Sequence, residues 1–428
     1  MIRLQNIGDG VFRDDRAHVS VEHFERLGKH AVEPGDVLVA TLGEVLPRAC
    51  LAPPNLGPAI VKADCIRVRP AASVSADYVM WALNAPPTRD RVAQTMKGVG
   101  RPRINLGELR VLGIPVAPLA EQERMVTAIE EAFSKLDAGE SGLRAVRQRL
   151  SRMRDSVLAA AASGYLLPRD PTDTTGSELP GRDGLDHPAD LPSGWSTSTV
   201  GDLAEFVTDG DHRPPKRVPA GVPHLTAKNV RDGRLDLRGC TFVDDAGFAQ
   251  TRKRYEPLQG DVIVTCVGTI GRIAVVPAGL IFSADRNLAA IRPKPGTDSA
   301  YLRCVLESPA VRRGLVAASG AAAQPHLYLR DLRSIVVTLA PHDEQLRVVA
   351  EVERQFSFIE ACERAIEVGL ARSRALRRSV LKAAFEGKLV PQDPADEPAS
   401  MLLERIRAER EAAGATPKRS RRTRTATQ

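Results

Sequence analysis

Two short stretches of this chain carry residue types that could do chemistry. Asn84-Ala85-Pro86-Pro87 has the amide and prolines of a loop that grips a flipped adenine, but no aromatic residue follows to stack on the base and the order differs. Glu386-Gly387-Lys388 has the acid-x-lysine spacing of a metal-dependent nuclease, but it lacks a convincing upstream acid, and a glycine ending a helix accounts for it. The Gly-x-x-x-x-Gly-Lys-Ser/Thr loop that cradles nucleotide phosphates does not occur. The eight histidines are scattered without ligand spacing, and the six cysteines form no CxxC pair. These residues predict a chain that is not itself a catalyst, with reduced, mostly buried thiols. The apolar runs fall short of the ~20 residues of a membrane span and the first residues have no signal-peptide profile, so the expected compartment is the cytoplasm.

What remains is charge. The 428 residues carry a formal charge of +7, concentrated in 1–117 and 191–340, while 168–190 is acidic. Positive charge held in two non-helical regions suits a polyanion ligand, although ordinary soluble proteins carry similar excesses.

The chain repeats itself at an offset of 223 positions. Pro118-Leu119-Ala120-Glu121-Gln122-Glu123-Arg124 returns as Pro341-His342-Asp343-Glu344-Gln345-Leu346-Arg347. Ser156-Val157-Leu158 returns as Ser379-Val380-Leu381, and Tyr78 as Tyr301. Around Gly35-Asp36-Val37-Leu38-Val39 the offset slips by two, to Gly260-Asp261-Val262-Ile263-Val264. Such a period is too long for a solenoid and indicates a duplicated domain pair, two equivalent working surfaces in pseudo-twofold array.

Within each copy, β-branched runs opened by Gly-Asp predict strands, with helices expected at Ala76 to Leu83 and Ser299 to Val316. The character then changes. Val126, Ile129, Phe133, Leu136, Leu143, Leu150 and Val157 fall at heptad-like spacing, as do Val349, Val352, Phe356, Ile359, Ile366, Leu370, Leu376 and Val380. Each run predicts a helix of roughly 60 Å, the first weakened near its middle by Gly139 and Gly142. Two equivalent seams pack most simply on each other, antiparallel; the alternative is two separate amphipathic helices, each on its own domain. The predicted organisation is a first mixed module at 1–117, a helix region at 118–167, a linker at 168–190, a second module at 191–340 and a second helix region at 341–390. A short helix from Pro398 to Ala413 and a basic disordered tail occupy 391–428. The fold class is α+β.

Leu191-Pro192-Ser193-Gly194-Trp195 followed by Gly201-Asp202-Leu203 resembles the opening of a target recognition domain in type I restriction-modification specificity subunits. So do Val267-Gly268-Thr269-Ile270-Gly271, the Pro-Leu-Ala-Glu-Gln-Glu-Arg helix start and the helix end Ser379 to Leu389. The resemblance covers nearly the whole chain, duplication included. It implies two α/β target recognition domains that each read half of a split DNA target, with two long antiparallel coiled-coil helices as spacer. It also implies partners: two methyltransferase subunits joined by two restriction subunits, using S-adenosylmethionine, ATP and Mg2+, with no cofactor on this chain. The alternative is a silent or truncated scaffold that binds partners without reading DNA. One departure stands out, for nothing in the first copy corresponds to Leu191 through His224. A start set too late is the expectation, because losing edge elements would expose sheet edges and core.

On that reading, arginine pairs with guanine and asparagine or glutamine with adenine through two parallel hydrogen bonds. The candidate DNA-binding residues of the first module are Gln5, Asn6, Arg48, Lys97, Arg101, Arg103 and Asn105. Those of the second are Lys228, Asn229, Arg252, Lys253, Arg254, Arg272, Arg286, Asn287, Gln324 and His326. Arg67, Arg69, Arg292 and Lys294 are expected on the wet face of a strand. From the resemblance, Glu123, Arg124 and Arg347 are candidates for docking the methylation subunits.

Overall fold

The computed structural model describes all residues except 96–101, 169–190, 214, 232, 321–324 and 415–428. The chain divides into two compact units, Met1–Arg144 with Glu367–Gln428, and Ala145–Ile366.

The first unit is built on an antiparallel three-stranded sheet. Its central strand β1 (Val37–Ala40) lies between β2 (Arg48–Leu51) and β3 (Cys65–Val68). The unbroken apolar run of β1 reflects burial on both faces. Val37 and Val39 point into a cluster with helix α1 (Ala76–Asn84) and with Met125, Ile129 and Phe133 of the long helix α2 (Leu119–Ser163). Leu38 and Ala40, one residue out of phase, point into a cluster with Ile2, Ile7 and Cys50.

The second unit opens with β4 (Ser196–Thr199) and β5 (Ala204–Asp209). Its main sheet then repeats the pattern with β6 (Val262–Thr265) between β7 (Ile273–Val275) and β8 (Leu288–Pro293), and β5 pairs with the free side of β8. Helix α3 (Ser299–Glu307) covers this sheet as α1 covers the first, and β9 (Val336–Leu339) pairs with β4 before the long helix α4 (His342–Phe385) begins. A second sheet of four short strands, Arg217–Val218, Val222–Leu225, Thr241–Val243 and Ser283–Ala284, completes the unit. The pairing is mainly antiparallel, the α+β arrangement expected. The helix expected from Ser299 to Val316 is in fact two, because Pro309 forces Ser308 into an extended conformation (ψ 147°) and restarts the helix at N1.

Each Gly-Asp opening has one structural purpose. Gly35 and Gly260 turn at φ 83° and 88°, and the next residue, Asp36 or Asp261, is buried. Asp36 accepts two hydrogen bonds from Arg69, at 2.7 and 2.8 Å. Asp261 accepts two from Arg292, both 2.8 Å, and one from the Tyr255 hydroxyl at 2.9 Å. The expectation of Arg69 and Arg292 as a merely wet strand face is therefore corrected: both clamp the strand opening beside them. Arg67 donates to Ala31 O, and Lys294 Nζ to Asp202 O.

The repeated Pro-x-x-Glu-Gln start is a lock. Gln122 accepts from Ser75 N–H (3.1 Å) and donates to Ala117 O (2.8 Å). One period on, Gln345 accepts from Asp298 N–H (2.7 Å) and donates to Ala340 O (2.9 Å). Ser75 and Asp298 are the N-caps of α1 and α3, so each long helix is tied to the helix that covers its sheet.

The long helices run to Ser163 and Phe385, and α2 continues through Gly139 and Gly142. Gly164 and Gly387 then turn left-handed, at φ 77° and 69°, as C-caps. Within the first unit Arg377 contacts Asp137 (2.5 Å) and lies 5.0 Å from the Phe133 ring, Ser373 donates to Glu140 (2.7 Å), and Gly369 faces Leu143. Numbers rise on one helix as they fall on the other, so the pair is antiparallel. Within the second unit Arg154 lies 4.5 Å from the Phe356 ring and 3.5 Å from Glu363. Arg154 and Arg377, Phe133 and Phe356, Glu140 and Glu363 are each 223 residues apart, so one contact occurs twice with the copies' roles exchanged. Leu376, expected in the seam, is 43% exposed, whereas Met125 and Val348 are buried. Helix α5 (Ala399–Gly414) matches the short helix expected there, with Leu402 buried.

Removing a buried ion partner leaves its mate uncompensated. Asp261→Ala is expected to lower unfolding stability by about 2–4 kcal/mol, and Asp36→Ala by less because Arg69 is half exposed and screened. Burial pushes the Asp36 carboxyl up, but hydrogen bonds from Arg69 and the Glu33 N–H outweigh it and leave it below its ordinary value. The stability it contributes is therefore present above the ordinary carboxylate range and lost as pH falls through its lowered value. Denaturant unfolding from pH 7 to pH 3 checks both, and an Asp36→Asn chain should lose that part of the acid dependence.

Candidate nucleic-acid interface

Main-chain hydrogen bonds gather the candidate readers in the same way in each unit. In the first, Thr41 N–H donates to Asp64 O (3.1 Å) and Ile104 N–H to Thr41 O (2.9 Å). In the second, Cys266 N–H donates to Asn287 O and Leu327 N–H to Cys266 O, both 2.9 Å. The residue after the central strand thus ties the turn before the third strand to the segment before a short helix. Arg48 and Arg272 return from the loop at the same register, Arg48 opposite Ala40 and Arg272 with its carbonyl accepting from Thr265 N–H at 2.9 Å.

The first unit therefore brings together Arg48, Asp64 and Arg103. Arg103 is exposed and lies 3.5 Å from Asp64, and Arg48 is half-buried with its Nε lacking a partner. Asn105 is exposed, but its amide caps the helix Leu106–Arg110, accepting from Glu108 N–H while Glu108 accepts from Asn105 N–H. The second unit brings together Arg272, Arg286, Asn287 and His326. Arg286 is exposed, and the His326 ring packs 4.5 Å from that of Tyr328, itself 59% exposed. Tyr328 escaped the sequence reading because no pattern marks an aromatic beside a loop. His224 escaped it too. Buried, it contacts Ser283 Oγ at 2.9 Å and lies 3.8 Å from Asp285, steadying the turn that carries Arg286.

Two expected readers are corrected. Asn6 is 2% exposed; its Oδ1 accepts from Arg3 N–H and its Nδ2 donates to Arg13 O and Asp15 O, all at 2.8 Å. Asn229 repeats the arrangement, accepting from Thr226 N–H at 3.0 Å and donating to Asp236 O at 2.8 Å. Both amides are buried and engaged inside a turn, out of reach of a base edge. Gln5 is exposed and bonded to Asp15, while Lys228 and Lys253 are exposed. Arg252 pairs with Glu256, and Arg254 with Asp209, which also contacts His212 at 2.9 Å. Exposed pairs of this kind are worth about 1 kcal/mol or less, so a phosphate can replace the carboxylate at little cost. Lys97, Arg101, Gln324 and the basic tail lie outside the described residues.

Asn84, the amide of the Asn-Ala-Pro-Pro stretch, ends α1 and bonds both main-chain groups of Ala49 at 2.9 and 2.8 Å. Among the described residues no group of three His, Cys, Asp or Glu side chains could hold a metal ion. Of the residues suggested for partner docking, Arg124 is engaged within its own unit by Asp396 at 2.6 Å. Glu123 lines a shallow open groove of about 470 Å³ with Ala120, Thr127 and Glu131, and Arg347 is half-buried on α4. No helix among the described residues is long and apolar enough to cross a membrane.

No protein-family model matches the chain. The EcoBI type I restriction enzyme specificity subunit of Escherichia coli is 30% identical over 314 residues, covering 70% of this chain and 65% of that protein. The EcoKI specificity subunit of Escherichia coli is 24% identical over 372 residues, covering 82% and 75%. The chain thus spans just under two thirds of the EcoBI relative's length. A solved chain, from a study of complex assembly and conformational transition of the type I R-M system, shares the fold at a TM-score of 0.63, with 20% identity over 84% of this chain and 83% of that one. The curated relatives that this chain is similar to are type I restriction enzyme specificity subunits, and the solved chain shares its fold of duplicated modules and paired helices.

Proposed function

We propose that this chain supplies DNA sequence specificity to a type I restriction-modification complex without performing chemistry itself. The observation that carries this is the identical main-chain stitching of two units around different side chains: Arg48, Asp64 and Arg103 in one, Arg272, Asn287 and His326 in the other. The same scaffold presenting unlike donors and acceptors is what reading two different half-sites requires. Arg286, Lys228, Lys253 and Arg254 add positive charge that suits phosphate contacts, which position a protein without specifying sequence. The two antiparallel helices act as the spacer between half-sites. Two methyltransferase subunits and two restriction subunits bind the chain and supply S-adenosylmethionine, ATP and Mg2+ chemistry to the same target in the cytoplasm.

Replacing residues 191–340 with the corresponding module of another specificity subunit is expected to change one half of the methylated target and leave the other intact. Mapping methylated adenines in cells checks this; a change in both halves or in neither would refute the modular reading. A chain that assembles with its partners but leaves the map identical to that of cells lacking the gene would instead be a scaffold. Inserting seven residues into each long helix adds about 10 Å, roughly three base-pair steps, and is expected to lengthen the non-specific gap in the same map. In binding titrations over a salt series, Arg48→Ala and Arg272→Ala are each expected to weaken binding by about 1–3 kcal/mol if they meet guanine and to relax one position. An arginine that meets only phosphate would reduce the salt slope by about 1 without altering sequence preference.

A further inference from the structure

A short hairpin joins the buried asparagine of each unit to its main sheet. In the second unit Val230–Arg231 pairs antiparallel with Arg234–Leu235, and Arg231 stands directly opposite Arg234. Gly233 turns at φ 75° and bridges Ala274 of β7, two residues past Arg272. In the first unit Ile7 bridges Phe12, and Gly10, at φ 76°, donates its N–H to Ala49 O of β2 at 2.8 Å. The two backbones match, and the side chains do not. Lys228, Arg231, Arg234 and Arg303 stand where, one period earlier, the first unit has Gln5, Gly8, Val11 and Met80. The fold therefore forms this hairpin without any of the four cations.

The cations also cost stability. Arg231 and Arg234 are exposed, and like charges directly opposite on paired strands repel. Among the described residues no carboxylate forms an ion pair with Lys228, Arg231 or Arg234, and Asp236 is taken by Arg238 at 2.8 to 3.1 Å. Residues 228–235 hold one acid, Asp232, against three cations. Arg231 Nε donates to Lys228 O at 3.0 Å, which keeps the guanidinium beside the lysine. Arg303 reaches the same turn from α3: a Cβ on Gly233 would lie 2.6 Å from its guanidinium, and its Nε is buried without a hydrogen-bond partner. A bound anion relieves such repulsion, and an arginine fork takes two phosphate oxygens at once. On the reading of this chain as a DNA-specificity subunit, we propose that the hairpin clamps the DNA backbone beside the half-site read through Arg272. Arg231 and Arg234 grip the phosphates, with Lys228 next to them and Arg303 beneath the turn. Phosphate contacts fix register without specifying sequence, and the first unit's hairpin lacks these residues, so this grip falls on one half-site.

Titrating the full chain, assembled with its partner subunits, against a duplex carrying the methylated target over about 50 to 200 mM salt tests this. Arg231→Ala and Arg234→Ala are each expected to flatten the slope of log affinity against log salt by about 1, and together by about 2. The ratio of affinities for the target and for a duplex with the second half-site scrambled should stay within about twofold. Arg231→Gly and Arg234→Val install the first unit's residues and should flatten the slope alike, which keeps the test valid if an alanine disturbs folding. A neutral methylphosphonate at one linkage flanking the second half-site should weaken the unaltered complex by about threefold and the double variant not at all. An unchanged slope, or no linkage that distinguishes the two, would overturn the clamp while sequence-specific binding persists. A changed base preference would put the arginines on base edges and overturn it too. If the unaltered complex binds no duplex sequence-specifically, the DNA-specificity reading itself falls, and the clamp with it.

Discussion

Gln122 and Gln345 are almost wholly buried, and a buried amide must find partners for both its oxygen and its nitrogen. In each unit those partners are the N–H of the N-cap residue of the helix covering the sheet and a carbonyl just before the long helix. Only one placement of the long helix satisfies both, so the amide fixes where the helix leaves its module. Tyr78 and Tyr301 secure the same corner, donating to Pro115 O and Thr338 O at 3.0 and 3.3 Å. Removing either glutamine would free the helix to pivot, and every residue whose position depends on that helix would move with it.

Much of this was legible in the sequence, and for a common reason. The 223-residue offset, the Gly-Asp strand openings and the heptad spacing are local patterns, and local patterns determine local structure. What stayed hidden depends on partners distant in sequence. Arg69 and Arg292 looked like solvent-facing alternation, yet their aspartates lie 33 and 31 positions upstream. Asn6 and Asn229 looked like adenine readers because their chemistry is right, but three main-chain groups already hold the Asn6 amide and two the Asn229 amide. Arg48, Arg103, Arg272, Arg286 and His326 were named from residue type alone, and the fold draws them to corresponding loops. No sequence pattern announced Tyr328 or His224.

The exchanged contacts between the long helices show what duplication does to packing. A residue that meets a partner on the other copy obliges that partner's counterpart to meet its own counterpart, which is the signature of a self-complementary interface. Arg154 with Phe356 and Glu363, and Arg377 with Phe133 and Glu140, satisfy that rule within a single chain. Each cluster combines a cation over an aromatic face with a partly exposed ion pair, modest terms of about 1 kcal/mol apiece. Their contribution is to register rather than to bulk stability, since sliding one helix by a turn would break both clusters together.

The loops that carry Arg48, Arg103, Arg272 and His326 are held by main-chain amides and carbonyls, not by the side chains they display. Any amino acid except proline brings the same amide to such a position. The outward-facing groups can therefore drift by mutation while the frame that presents them keeps its shape. A lineage carrying this fold can acquire new molecular preferences through single codon changes, each compatible with an intact scaffold, long before either half needs to be exchanged as a whole.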